Sequence, residues 1–297
     1  MGESVADHWG PKVVNGGNFV FSSLSPIPFS PIRPTIMSTI GIIPARLQSS
    51  RLPGKMLLKE SGKPLIQYAW EAAKLAQKLD DVIIATDSEE IVVVARDFGA
   101  KVSLTGDHPS GSDRIAEVVR RDCPDATLVV NVQGDEPELE PAVIDQLVSA
   151  MQQRPEIEMG TLATPIQSVA VLQDTSCVKV VCTADGRALY FSRLPIPFYR
   201  DGQPGDLISP DEETAAYQRS PWLLHLGIYA YRPEFLLAIT QMPQSRLEKL
   251  ESLEQLRALE AGATILVKTV SHRSVGIDTA ADYAAFLERI KGKKNQG

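Results

Sequence analysis

From Ile40 onward, short apolar runs alternate with amphipathic stretches. Ile40–Pro44, Val82–Thr86, Lys101–Leu104 and Thr127–Val132 have the length and apolar continuity of strands buried on both faces. Between them, Leu65–Gln77, Ser88–Phe98 and Ser112–Arg121 place apolar residues at helical spacing. Pro64 suits a first helical turn, and Asp87 or Ser88 supplies a cap for the second helix. This alternation predicts right-handed βαβ units and a largely parallel sheet covered on both faces. On such a sheet, ligands sit at the carboxyl ends of the strands.

The pattern changes after about residue 176. Val178–Thr183 and Ala188–Ser192 flank Ala184-Asp185-Gly186-Arg187, whose Asp-Gly pair provides hairpin turn chemistry. Leu194–Ser220 is rich in Pro and Gly and reads as a long loop. Trp222–Tyr231 reads as a strand, Ser252–Ala261 as a helix stopped by Gly262, and Thr264–Val270 as a strand. A last helix is predicted over Ala280–Ile290. The sum is one large α/β domain over residues 37–297, with an antiparallel insertion at about 176–232. Residues 1–36, with prolines at 11, 26, 28, 31 and 34, read as a disordered tail or as the product of a start site upstream of Met37. They contain no apolar segment followed by a small-residue cleavage site, so a signal or transit peptide is not expected.

Composition narrows the function classes. With 297 residues there is enough chain for a full core without metal or disulfide staples. The formal charge of −7 disfavours a general nucleic-acid or anionic-membrane binder, which needs a basic surface, but leaves room for a local anion pocket. The three cysteines, Cys123, Cys177 and Cys182, form no C-x-x-C and read as reduced residues of a cytoplasmic protein. The longest apolar runs, such as Ile91–Ala95, fall far short of the ~18 residues a membrane helix needs.

Against that acidic background one loop stands out. Directly after the first strand run Pro44-Ala45-Arg46 and then Arg51-Leu52-Pro53-Gly54-Lys55, with two serines between. Three cations in a Ser- and Gly-containing loop at a strand's carboxyl end suit phosphate oxygens, through side-chain charge and free backbone N–H groups. It is not a Walker A loop, because Ser49 stands where its first Gly belongs and Met56 follows Lys55. A solvated basic loop is the plain alternative. Gln133-Gly134-Asp135-Glu136-Pro137 follows the most apolar strand, placing Asp135 as a Mg²⁺ ligand or as ordinary turn chemistry. Asp278 reads either as a second metal carboxylate or as the cap of the last helix. Period two puts His225, Gly227 and Tyr229 on one strand face, where a structural His and a core Tyr are the simple reading. Glu254 lies at the margin of a helical Leu stripe and reads first as a solvated charge.

Taken in order, these segments resemble the 3-deoxy-manno-octulosonate (Kdo) cytidylyltransferases, the CMP-Kdo synthetases, from about Ile40 to Ile290. The resemblance is carried by Ile43-Pro44-Ala45-Arg46 with Arg51 to Lys55, Ile84 to Asp87, Gly111-Ser112-Asp113-Arg114, Gln133 to Pro137, Val178 to Val181, Ala188 to Arg193, His225 to Tyr229, Leu253 to Arg257, and Gly276 to Thr279. It implies a three-layer α/β/α fold of the nucleotide-diphospho-sugar transferase type. The sheet would be mixed but mostly parallel, and a smaller antiparallel insertion would serve dimerisation. It further implies a Mg²⁺-dependent transfer of CMP from CTP to the anomeric hydroxyl of Kdo, releasing pyrophosphate, in a cytoplasmic homodimer that feeds lipopolysaccharide assembly. By the same resemblance, Pro44, Ala45, Arg46, Arg51 and Lys55 meet the nucleotide triphosphate, and Gly111, Ser112 and Arg114 lie near the nucleoside. Asp135 and Asp278 hold Mg²⁺; with Arg46 and Lys55 they form the catalytic set. Gln133, Arg193, His225, Tyr229, Glu254 and Gln255 surround the sugar. Two departures are visible: Ser112-Asp113 replaces the commoner Thr-Glu, and Asp278-Thr279-Ala280-Ala281 lacks the usual Pro and acidic residue. The rivals are a cytidylyltransferase for another sugar acid, such as sialic acid or 8-amino-Kdo, and a catalytically silent nucleotide sensor.

Overall fold

The computed structural model describes residues 38–49, 51–208, 220–271 and 275–294. The N-terminal tail predicted over 1–36 therefore lies outside the described residues, as does much of the predicted 194–220 loop. The strands are β1 (Thr39–Ala45), β2 (Asp81–Thr86), β3 (Lys101–Leu104), β4 (Leu128–Asn131), β5 (Met159–Pro165), β6 (Lys179–Cys182), β7 (Ala188–Ser192), β8 (Leu223–Tyr231) and β9 (Ile265–Thr269). The helices are α1 (Leu65–Leu75), α2 (Glu89–Asp97), α3 (Gly111–Asp122), α4 (Pro141–Gln153), α5 (Val169–Gln173), α6 (Pro233–Ile239), α7 (Arg246–Glu251), α8 (Gln255–Glu260) and α9 (Ala280–Lys294).

The sheet runs β3-β2-β1-β4-β8-β5-β9, with β6 and β7 joined off this path through β8. β1 pairs in parallel with both β2 and β4, β2 with β3, and β5 with β9, so the expected parallel βαβ half is present. β8 runs antiparallel between β4 and β5. It is thus the final strand of the expected insertion and also a central strand of the main sheet. One core, lined by Ile66, Ile91, Ile144 and Met151, lies under α1, α2 and α4. A second, lined by Ile115, Val119, Leu236 and Leu256, lies under α3, α6 and α8. The sheet is therefore the middle of three layers, as predicted.

Local chemistry sets the helix starts. Ser88, rather than Asp87, caps α2, its Oγ accepting from the Ile91 N–H at 3.3 Å. Ser110 caps α3 in the same way. The helix predicted over Ser252–Ala261 is present as the shorter α8, and a further short helix, α7, precedes it; the two are separated by Ser252 in the left-handed conformation at φ 52°. A Ser245–Glu248 capping box starts the first, and the Ser252 reversal ends it before Gln255 begins the second.

Candidate active site

The carboxyl ends of β1, β3 and β4 open onto one cavity of about 290 Å³. Its walls include Pro44, Ala45, Arg46, Arg51, Lys55, His108, Gly111, Arg114, Gln133, Asp135 and Asp278. The loop after β1 is closed by the Gly54 N–H donating to the Leu47 carbonyl at 3.2 Å. Gly54 then enters a 3₁₀ turn at φ +65°, a conformation that suits glycine, and this turn sends Lys55 inward. Gly134 brings the chain after β4 close to the same place: a Cβ there would lie 3.1 Å from Ile43 Cγ2 and 3.3 Å from Met56 Cε.

Three segments converge on the Lys55 ammonium. It donates to Asp135 Oδ2 at 2.5 Å, to Asp278 Oδ1 at 2.9 Å and to the Ile277 carbonyl at 3.0 Å. Burial opposes this charge, but Asp135 and then Asp278 outweigh it, and the Lys55 pKa is raised. Arg51, largely exposed, reaches Asp278 Oδ2 at 2.9 Å. The Ile277 N–H donates to the Asp135 carbonyl at 2.9 Å, clipping the 276–279 turn to the end of β4. Asp278 is not the cap of α9. Thr279 is: its Oγ1 accepts from the Asp282 N–H at 3.2 Å, and Asp282 Oδ2 accepts in return from the Thr279 N–H at 2.8 Å. That reciprocal cap leaves the Asp278 carboxylate for cations. The two distant aspartates therefore meet at one positive charge.

Arg46 stands exposed at the cavity mouth. Arg114 also lines the cavity but is almost wholly buried, and its guanidinium is spent on Asp87 Oδ2 at 2.6 Å and Thr105 Oγ1 at 2.5 Å. Gly111 brings α3 against Pro44, where an added Cβ would touch Pro44 Cγ at 3.4 Å. Ser112 is buried and turned toward Tyr231, outside the cavity lining. His108, Pro109 and Ser110 line the cavity without having been singled out in the sequence. His108 Nε2 lies 2.6 Å from Glu117 Oε2, and this hydrogen bond is the main cause holding Glu117 below the ordinary carboxylate range. The signal was available: Asp107-His108-Pro109-Ser110-Gly111 ends the third strand on the same sheet edge as the basic loop.

The residues assigned to the sugar gather on β8 and the elements beside it. Gln133 Nε2 donates to the Gly227 carbonyl at 2.8 Å, linking the cavity to that strand. His225, Tyr229 and Tyr231 form a ladder with centroid spacings of 5.4 and 5.8 Å, and Phe191 of β7 packs edge-on to His225 at 5.1 Å. Burial pushes the His225 imidazole down to about 3, and burial first, with Tyr231 and Glu254 adding, pushes the Tyr229 phenol well up. Glu254 thus faces the ladder from the start of α8. Gln255 is buried at 5 % exposure, and its Nε2 has no hydrogen-bond partner among the described residues. Arg193 is occupied differently, donating to the carbonyls of Glu251 at 2.6 Å, Thr175 at 3.0 Å and Ser252 at 3.3 Å. It holds the Ser252 reversal that delivers Glu254 and Gln255.

Comparison with known proteins supplies the family. The cytidylyltransferase family profile matches residues 40–265. The chain is 43% identical over 256 residues to the 3-deoxy-manno-octulosonate cytidylyltransferase of Geobacter sulfurreducens, covering 86% of this chain and 100% of that one. It is 42% identical over 258 residues to the enzyme of the same name from Rhodopirellula baltica, with the same coverage. Among solved structures, a CMP:2-keto-3-deoxy-manno-octonic acid synthetase complexed with CTP superposes with a TM-score of 0.77 at 37% identity, over 86% of this chain and 99% of that one. A 4-diphosphocytidyl-2C-methyl-D-erythritol synthase from Anaerococcus prevotii shares the fold alone, at 11% identity and a TM-score of 0.56. Motif order, sheet topology and these likenesses lead to one assignment: the chain belongs to the 3-deoxy-manno-octulosonate cytidylyltransferase family of nucleotidyltransferases.

Proposed function

We propose that this protein transfers CMP from CTP to the anomeric hydroxyl of Kdo and releases pyrophosphate. The observation that carries the reading is the convergence of Asp135 and Asp278 on one ammonium, at 2.5 and 2.9 Å, beside a loop bearing Arg46 and Arg51. A site already shaped around a cation by two carboxylates fits Mg²⁺, which takes one or two carboxylates and fills its remaining positions with phosphate oxygens and water. Among the described residues no group of three or more ligating side chains occurs, in keeping with a metal held partly by substrate. Bound there, Mg²⁺ supplies neutralisation of phosphate charge and acidification of an adjacent hydroxyl.

The chain's own residues supply the rest. Arg46, Arg51 and Lys55 offset the charge of the β- and γ-phosphates and stabilise the pyrophosphate as it departs. Pro44, Ala45 and Gly111 shape the wall where the nucleoside lies. Gln133, His225, Tyr229, Glu254 and Gln255 orient the sugar so that its hydroxyl faces the α-phosphorus in line with the leaving group. No covalent enzyme intermediate is needed, and positioning plus charge carry the rate. The two carboxylates proposed for the metal, Asp135 and Asp278, meet at Lys55, which favours an enzyme over a silent nucleotide sensor.

Within the same proposal the product feeds lipopolysaccharide assembly in the cytoplasm. No helix among the described residues is long and apolar enough to cross a membrane. Homodimerisation through the antiparallel region is supported by exposed Leu189, Leu194 and Phe198, the last 87 % exposed. The test is incubation with CTP, Mg²⁺ and, in separate reactions, Kdo, 8-amino-Kdo and sialic acid, with pyrophosphate release as readout. Release with Kdo above the other two is expected; release with none of them defeats the proposal.

A further inference from the structure

Thr161 is fully buried at a β-bulge, where the pairing of β5 with β8 shifts between Thr161 and Leu162. Three groups crowd its hydroxyl: the Ile228 carbonyl at 2.8 Å, the Leu226 carbonyl at 3.1 Å and His225 Nε2 at 3.0 Å. A hydroxyl has one proton to donate and lone pairs to accept with. Both carbonyls can only accept, and the nearer, at 2.8 Å, is the shortest of the three contacts and the strongest claimant for the proton. The bulge places these carbonyls there, because in regular pairing they would face strand N–H groups. What remains toward His225 is a lone pair, and a lone pair binds a nitrogen that carries hydrogen.

We propose that Thr161 is a positioning residue: it holds His225 as the Nε2–H tautomer and leaves Nδ1 as a hydrogen-bond acceptor for a sugar hydroxyl. Nδ1 has no hydrogen-bond partner among the described residues, and it is not one of the buried polar atoms left without a partner. His225 as a residue is only half-buried. The ring is fixed on its other sides by Phe191 and Tyr229, so the tautomer and the direction of the lone pair are set together. His225 then reads a hydroxyl. It does not act as a cation toward the sugar's carboxylate. The identity of the hydroxyl rests on the sugar-acid reading above; the tautomer does not.

The test is ¹⁵N NMR of histidine-labelled protein at neutral pH, with His225→Gln used to assign the signal. Wild type is expected to show Nε2 protonated and Nδ1 bare. Thr161→Val keeps the shape but removes the hydroxyl, and is expected to lose that fixed signature and to raise KM for the sugar acid about tenfold, with KM for CTP unmoved. Thr161→Ser restores the hydroxyl and should restore both readouts, which general loosening of the strand would not allow. Should the valine variant fail to fold, the wild-type spectrum and Thr161→Ser decide alone. Protonation at Nδ1 in the wild type overturns the proposal, as does a valine variant in which neither the signal nor KM moves. If the Nε2–H signature is present and hydroxyl-dependent but no sugar acid is turned over, the substrate reading fails and the tautomer assignment stands.

Discussion

The two ends of this active site are built on opposite principles. The nucleotide end, at the carboxyl edge of the parallel strands, is crowded with charge: Lys55, Arg51, Asp135 and Asp278 share hydrogen bonds within one network. The end proposed for the sugar, on antiparallel β8, is lined by the rings of His225, Tyr229 and Tyr231 with the carboxylate of Glu254 facing them. The difference fits the substrates proposed above. A triphosphate is recognised by charge and needs cations held at fixed points. A sugar is recognised by the direction of its hydroxyls, which calls for fixed donors and acceptors on an apolar frame. Parallel strands end in loops that can gather distant cations, whereas an antiparallel strand presents alternate side chains in a rigid row.

Substitutions at the two ends should therefore fail in different ways. The largest effect is expected for Asp135→Ala, which removes one of the two carboxylates: kcat should fall on the order of 10³-fold or more with the fold intact by circular dichroism. Near-normal turnover would remove Asp135 from the metal site. Lys55→Ala comes next, with kcat/KM for CTP falling on the order of 10²-fold and KM for the sugar little changed. An unaltered CTP response would break the division between the ends. Gln255→Ala should do the reverse, raising KM for the sugar acid about tenfold while CTP saturation is unaffected, since a buried donor without a protein partner is suited to a ligand oxygen. The smallest effect is on pH dependence. With its pKa lowered to about 3 from 6.5, His225 binds fewer protons folded than unfolded. Its contribution to stability is thus complete above about pH 6.5 and is lost as pH falls toward 3. Denaturant titrations across that range should show a shallower acid slope for His225→Gln, and an unchanged slope would contradict the lowered pKa of this ring.

The same division decided what could be read from the residues alone. β1, β2, β4 and the helices beside them are apolar runs and clear amphipathic stripes, so burial and periodicity agree along them, whereas β3, predicted as buried on both faces, is an edge strand of Lys-Val-Ser-Leu in which only Ser103 is buried. β5 is central yet reads Met-Gly-Thr-Leu-Ala-Thr-Pro, with only two large apolar side chains; its neighbours β8 and β9 bury it. Gly160 is tolerated there because Met151 of α4 fills the space, its Sδ 2.5 Å from where a Cβ would stand. α4 itself, starting at Pro141 and burying Val143, Ile144, Leu147 and Met151, carries an ordinary amphipathic pattern that the reading passed over. The break between α7 and α8 depends on Arg193, more than fifty residues away, bonding the Glu251 and Ser252 carbonyls, and no local pattern announces it. In the site, the basic loop and Asp135 were legible from position at strand ends. Asp278 was ambiguous because cap and ligand use the same side chain, and only Thr279 and Asp282 separate the two roles. Likewise the spacing of Arg114 could not show that Asp87 already occupies it.

Asp278 reaches the cavity on the turn that opens α9, beyond residue 265 where the family profile stops. That helix is held by Tyr283, whose hydroxyl donates to Glu60 at 2.7 Å, and by Ile277 and Phe286 packed with Leu65. The first strand and the last helix of the domain thus close on the same cation. A chain that has formed the sheet therefore still lacks one of the two carboxylates until the 276–279 turn docks against the end of β4.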